Sequence, residues 1–209
     1  MLPKLCLITD RKQCNDILTV LEDALFGGVR MIQLREKDLS TVELYNIACK
    51  IRKISKKYNS LLIINDRIDI ALAVEADGIH VGKNSLPISA IKKLMSQHNH
   101  KLLIGYSTHS LKEAKELESE GVDWITFSPI YQSQSKSKYL SPKGLSSLEE
   151  LVKNISIPVY ALGGIKQTNI KDVMCTGVYG VALISEIISS NNPKQTANNL
   201  LSILDKDIK

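Results

Sequence analysis

Gly28-Val29-Arg30-Met31-Ile32-Gln33-Leu34-Arg35-Glu36-Lys37 sets the unit from which this chain is built. It opens on a glycine able to stop a helix. An apolar run of the length of a buried strand follows, and polar and charged residues crowd its far end. Gln33, Arg35 and Lys37 lie two apart, and in an extended chain that spacing sends all three side chains to one side. Two cations and an amide converging at a strand's carboxyl end form an anion site. The same residues would also suit a strand running into a solvated charged loop.

The layout recurs along the chain. Buried strands are expected at Leu5-Cys6-Leu7-Ile8-Thr9-Asp10, Met31 to Leu34, Leu61 to Ile64, Ile79 to Val81, Lys101 to Ser107, Trp124 to Ser128, Ile157 to Ala161 and Val181 to Ile184. Helical spacing fills the intervals: Asp16 to Phe26, Ser40 or Thr41 to about Tyr58, Ile68 to Val74, Pro87 to Met95, Leu145 to Val152, Thr168 to Cys175 and Pro193 to Leu204. Ser110 starts a further helix, with Glu113 completing a capping box. The joints Gly28-Val29, Gly78-Ile79, Gly121-Val122 and Gly177-Val178 repeat one theme, a left-handed glycine ahead of a buried strand. Strict alternation of strand and helix gives a parallel sheet with right-handed crossovers. Eight such units close into a single compact (β/α)8 TIM barrel covering residues 1–209. No GxGxxG follows the first strand, which speaks against an open doubly wound sheet.

Bulk properties narrow the class. With 209 residues, 44% of them hydrophobic, one domain can bury roughly 70% of its unfolded surface. No apolar run spans a bilayer, and the N-terminus lacks the pattern of a signal peptide. A cytoplasmic protein with no membrane partner is expected. Cys6, Cys14, Cys49 and Cys175 form no CxxC pair and no cysteine–histidine cluster, so reduced structural thiols are expected. Cys6 and Cys175 lie in apolar runs that suit the core. The net charge of +5 is spread over helix faces, and aromatic residues make up only 5%. A nucleic-acid partner would need a basic stripe interleaved with stacking rings. The mild positive balance fits an anionic small-molecule substrate equally well, and a homo-oligomer stays open.

In a TIM barrel the working groups stand at the carboxyl ends of the strands. Gly163-Gly164 and Ile184-Ser185, after strands seven and eight, mark a phosphate site. Each charge-assisted bond there is worth roughly 1.5–3 kcal/mol. Asn65-Asp66 offers an amide and a carboxylate to a hard cation such as Mg2+, or equally an Asx turn ahead of Arg67. Lys136 lies among the hydroxyls of Ser133, Ser135 and Ser137 in the one long irregular stretch, Pro129 to Lys143, which suits a loop closing over a diphosphate or a plain polar loop. His109 is either an acid/base near neutral pH or a first-turn helix residue with local bonds. His80 faces barrel or helix packing.

These motifs resemble the thiamine phosphate synthases and their relatives, the thiazole tautomerases. The resemblance rests on Leu7-Ile8-Thr9-Asp10, Gln33-Leu34-Arg35-Glu36-Lys37, Ile64-Asn65-Asp66, Ala76 to Gly82, Ser107-Thr108-His109-Ser110, Ser128-Pro129-Ile130-Tyr131, Ala161 to Ile165 and Ile184-Ser185, in this order. It covers nearly the whole chain. It implies a transferase that joins an aminopyrimidine methyl diphosphate to a thiazole phosphate and releases diphosphate.

By that resemblance, Gln33, Arg35, Lys37, Asn65, Ser107 and Lys136 hold the pyrimidine diphosphate, and Asp66 holds Mg2+. Ser133 and Ser135 stand where the family has threonines at the thiazole phosphate, with Gly164, Ile184 and Ser185 completing that subsite. Lys136, Arg35, Lys37, Ser107 and His109 form the implied catalytic set. The chain departs from the family at Ser85, where the synthases carry a second metal aspartate. A tautomerase, with a histidine at the His109 position as acid/base, or a non-catalytic barrel binding thiazole phosphate are the other readings.

Overall fold

The structure is a computed structural model and describes residues 1–132 and 141–205. Eight short parallel strands close on themselves in sequence order: β1 (Leu5–Ile8), β2 (Met31–Leu34), β3 (Leu61–Asn65), β4 (Gly78–Val81), β5 (Leu103–Thr108), β6 (Trp124–Phe127), β7 (Val159–Leu162) and β8 (Gly180–Leu183). β8 returns to β1 with Leu5 beside Val181 and Leu7 beside Leu183, so no strand edge is left open. The expected barrel is the observed one.

Each strand is buried on both faces, for two reasons. The outward face packs on the helices: α1 (Ile17–Phe26), α2 (Thr41–Lys57), α3 (Ile68–Ala73), α4 (Ile88–Gln97), α5 (Leu111–Ser119), α6 (Gly144–Asn154), α7 (Ile170–Met174), α8 (Ser185–Ile188) and α9 (Pro193–Leu204). α2 turns Leu44, Ala48 and Ile51 inward at helical spacing and leaves its lysines in water. The inward face fills the barrel with Cys6, Ile8, Met31, Ile63, Trp124, Tyr160 and Ala182. Tyr160 and Tyr179 close the amino-terminal end by donating their hydroxyls to the carbonyls of Pro3 and Leu2.

Acidic residues ahead of the strands have a defined task there. The Asp77 carboxylate accepts the Leu62 N–H at 2.7 Å and pairs with Arg52. The Asp123 carboxylate accepts the Ile104 N–H at 2.7 Å. Each supplies an acceptor to a buried N–H of the preceding strand, which must not stay unpaired.

Several boundaries differ from the sequence reading. β1 stops at Ile8, because Asp10 leaves the sheet to cap a 3-10 turn at Arg11–Gln13. β7 begins at Val159, after Pro158, which has no N–H for the ladder. A short helix, α8, follows β8 directly. The capping box forms at Ser40 and Glu43. At Ser110 only half of it forms, since the Glu113 carboxylate turns to Thr108 Oγ1 and the His109 N–H. Gly28, Gly121 and Gly177 do take positive φ, but Gly78 does not; Glu75 (φ 52°) makes that turn. Gly78 is needed for space, because a Cβ there would lie 2.7 Å from the Leu103 carbonyl oxygen. Cys175 is exposed at the end of α7 rather than in the core, because this short helix buries only Ile170 and Val173.

Candidate active site

Side-chain alternation sorts the carboxyl end of β2. Met31 faces the barrel interior, so Gln33 does as well, and its amide donates to Asn65 Oδ1 at 3.3 Å on the neighbouring strand. Leu34 and Glu36 turn the other way. Glu36 is buried and accepts from the Arg11 N–H and guanidinium. Arg35 is thereby left on the mouth side, with its N–H donated to Thr9 Oγ1 at 2.9 Å. Lys37 is exposed in the turn beyond the strand, since β2 ends at Leu34. Strand alternation therefore places Gln33 and Arg35 but not Lys37.

Charge pairing sets Arg35 apart from the other arginines. Arg11, Arg52 and Arg67 have carboxylate partners, and Arg30 is held by the carbonyls of Leu25 and Val29. Arg35 and Lys37 have no acidic partner among the described residues. The Asp66 carboxylate, one strand along, has no hydrogen bond or ion pair among them either. Its backbone is unusual. Asp66 has φ 68°, and the Arg67 N–H reaches over it to the Asn65 carbonyl at 2.8 Å, a γ-turn of the strained hand. Asp66, at the end of β3, lines a cavity of about 480 Å3 together with Ser85 and Asp69. Ser85 is a hydroxyl and its Oγ accepts the Gly82 N–H, while the Asp69 carboxylate is paired with Arg67, so this cavity gains no second free carboxylate from them.

The barrel mouth has two halves. From β5 and β6, Ser107 and Thr126 join His80 of β4 in a polar cluster: Ser107 Oγ lies 2.9 Å from His80 Nε2 and 3.4 Å from Thr126 Oγ1. With Gln33 and Asn65 these groups make β2 to β6 a hydrogen-bonding floor. Across the mouth, Ile8 of β1, Leu162 of β7 and Ile184, just after β8, make an apolar one.

Gly163 and Gly164 follow β7 with φ 105° and 65°. Their lack of side chains admits another backbone: a Cβ at Gly164 would lie 2.6 Å from the Gln132 carbonyl oxygen, and one at Gly163 would lie 2.8 Å from Pro129. The Ile130 and Tyr131 N–H groups donate to the carbonyls of Leu162 and Gly163. The Lys143 and Gly144 N–H groups donate back to those of Pro129 and Ile130. Residues 130 and 131 after β6 are thus stitched to the β7 turn, residues 143 and 144 are stitched to residues 129 and 130, and Asn169 holds the β7 turn through the Gly164 carbonyl and the Lys166 N–H. Ile184 and the exposed Ser185 begin α8 beside it. Ser133, Ser135 and Lys136 lie outside the described residues.

Residues 5–187 match the family model described as thiamine monophosphate synthase. The chain belongs to this family. A protein named "Putative thiamine-phosphate synthase" in Geobacter sulfurreducens is 45% identical over 202 residues, 96% of this chain and 93% of that one. The thiamine-phosphate synthase of Clostridium novyi is 40% identical over 202 residues, 96% of this chain and 98% of its own. Thiamine phosphate pyrophosphorylase from Pyrococcus furiosus superposes with a TM-score of 0.88 at 34% identity, covering 97% of this chain and 96% of that one.

Against the family expectation, the structure brings Gln33, Arg35, Asn65, Asp66 and Ser107 to one end of adjoining strands, with Gly164, Ile184 and Ser185 across the mouth. His109 follows β5 with Nδ1 2.7 Å from the Ser128 carbonyl oxygen, which can only accept, so Nδ1 carries a proton. Cys6 is buried in the barrel, and burial pushes its thiol up to about 12, which leaves it neutral and poorly nucleophilic. Sequence reasoning missed Thr9, Glu36, Thr126 and Asn169 and left His80 undecided. Inward alternation on β4 and β6 was the available signal for His80 and Thr126.

Proposed function

We infer that this protein is a thiamine phosphate synthase, a transferase that condenses an aminopyrimidine methyl diphosphate with a thiazole phosphate and releases diphosphate, and that residues 1–209 act as one domain. One observation supports this reading of the site: Arg35, after β2, has no carboxylate partner and the carboxylate of Asp66, after the neighbouring β3, has no hydrogen bond or ion pair, both among the described residues. Cations left unpaired at a rim bind an anionic ligand.

Arg35 and Lys37, with Lys136 as the family resemblance implies, neutralise the departing diphosphate. Gln33, Asn65 and Ser107 give hydrogen bonds to the aminopyrimidine. That ring is electron-rich, so it supports the cation-like carbon left when the diphosphate leaves. The thiazole lies over Ile8, Leu162 and Ile184, with its phosphate at Gly164 and Ser185 and the hydroxyls of Ser133 and Ser135. Its nitrogen then attacks the methylene carbon from a fixed distance. The reaction needs no protein nucleophile, and the neutral Cys6 agrees with that.

The donors around Asp66 are hard oxygens that suit Mg2+, although no group of three His, Cys, Asp or Glu side chains gathers there among the described residues. Asp66 would hold the ion alone among carboxylates, with diphosphate oxygens and water completing the shell. Bound there, Mg2+ supplies charge neutralisation for the leaving group.

Incubation with both phosphorylated halves and Mg2+ tests the reading; thiamine phosphate and diphosphate appear together. Absence of both overturns it. The anchored ring of His109 favours a second reading, a thiazole tautomerase with Nε2 as its acid/base. That reading predicts metal-independent interconversion of thiazole isomers, abolished in His109→Ala, and it leaves Arg35 and Lys37 without a task. No helix among the described residues is long and apolar enough to cross a membrane; the cytoplasmic setting is proposed from the small, water-borne substrates alone.

A further inference from the structure

The hydroxyl of Ser107 is not left to rotate. It sits between His80 Nε2 at 2.9 Å and Thr126 Oγ1 at 3.4 Å, where Thr126 donates to it. His80 is nearly fully buried, at 4% exposed, and its ring lies 6.0 Å from that of Trp124. Both rings occupy space that a side chain at position 105 would fill: a Cβ on Gly105 would lie 2.6 Å from His80 Nδ1 and 2.2 Å from Trp124 Cε2. The imidazole is therefore fixed in place beneath Ser107 by packing.

A hydroxyl has one donor and two acceptor sites. Thr126 Oγ1 also lies 3.5 Å from His80 Nε2; with its one proton given to the nearer Ser107, Thr126 takes one acceptor site and His80 takes one more site, so a single site is left to face the mouth. If His80 Nε2 carries its proton, the free site of Ser107 is its O–H. If Nε2 is bare, Ser107 spends its proton on His80 and the free site is a lone pair. The first state suits a ring nitrogen of an aminopyrimidine, and the second suits its exocyclic amino group.

We propose that His80, with Thr126, is the positioning residue that fixes the direction of the Ser107 hydroxyl and, through its own tautomer, decides whether Ser107 gives or accepts the hydrogen bond to the aminopyrimidine. The proposal rests on Ser107 being a pyrimidine contact, as proposed above.

Two measurements test it. The first is nitrogen-15 NMR of histidine-labelled protein, wild type against Ser107→Ala. The His80 Nε2 resonance moves and those of His109 do not. An unmoved His80 resonance overturns the proposal. The second is a double-mutant cycle in steady-state kinetics. His80→Leu lowers kcat by about tenfold or more and leaves KM for the thiazole phosphate within about twofold, whereas His80→Gln, which keeps a polar group near the Nε2 position, recovers part of the loss. In a Ser107→Ala background the same His80→Leu change costs less than about threefold. Equal losses in both backgrounds mean that His80 acts only as packing, and overturn the proposal. The spectral measurement needs no turnover. A moving His80 resonance in a protein that makes no thiamine phosphate supports the His80–Ser107 link and overturns the synthase reading alone.

Discussion

Gly105 on β5 stands beside Trp124 on β6 in the barrel ladder, and a β-carbon at Gly105 would lie 2.2 Å from the indole. The glycine is there because the barrel interior must hold a tryptophan and a histidine at one level. Gly105→Ala should cost about 1–3 kcal/mol of stability, the usual penalty of overpacking a filled core. Denaturant titration reads this directly. An unchanged midpoint would show that the indole moves aside freely.

Asp66 holds a positive φ of 68° at the centre of its γ-turn. A non-glycine residue there costs of order 1 kcal/mol or more, and asparagine and aspartate tolerate it best. Asp66→Ala should therefore lose about 1 kcal/mol, while Asp66→Gly stays within about 0.5 kcal/mol of wild type. Both should lose most turnover, and extra Mg2+ should not restore it. Thermal melts compared with product formation separate the two effects. Full activity in Asp66→Gly would remove the carboxylate from the reaction.

Gly164→Ala places a methyl 2.6 Å from the Gln132 carbonyl oxygen and forces alanine to φ 65°. The damage falls where the loop after β6 is pinned to β7. The expected result is a KM for the thiazole phosphate raised about tenfold or more, with a smaller change in KM for the pyrimidine diphosphate. Equal changes in both would mean that the loop foot serves the two substrates alike.

The two extremes of thiol burial give a labelling test. At pH 8 iodoacetamide should modify the exposed Cys175 and spare Cys6 until the protein unfolds, as peptide mass mapping would show. The Cys6 thiol is pushed from 9.0 up to about 12 by burial. Between those values the unfolded chain holds fewer protons than the folded one. The contribution is thus fully present below pH 9 and is lost as pH rises towards 12. Burial also pushes the Tyr160 hydroxyl up, in the same direction. Cys6→Ala should flatten the alkaline fall in stability without abolishing it. An unchanged slope would show that the thiol does not take part.

The barrel was legible in the chain because its cause is local and repeated. Eight apolar runs too short for helices alternate with stretches of helical period, and that pattern has few closed solutions. Much of the candidate site was legible for the same reason, since residues after a parallel strand all emerge at one end. The errors came where two elements meet. Gly78 looked like another helix stop, yet Leu103 on the next strand dictates it. Cys175 looked like core from its apolar neighbours, but α7 is too short to bury it. Glu113 was expected to bond Ser110 and instead braces Thr108 and His109.

Local order along the chain thus determined the strands, the helices and the end of the barrel where polar groups collect. Only the closed structure decided which of those groups are free. Arg11 and Arg35 look alike in sequence, but Arg11 is occupied by Glu36 and Asp38 while Arg35 stands without a carboxylate among the described residues. Likewise, His80, Ser107 and Thr126 are separate in sequence and meet only when β4, β5 and β6 lie side by side. Pairing of charges and hydroxyls depends on distances of a few ångströms between strands, and no periodicity within one segment encodes them.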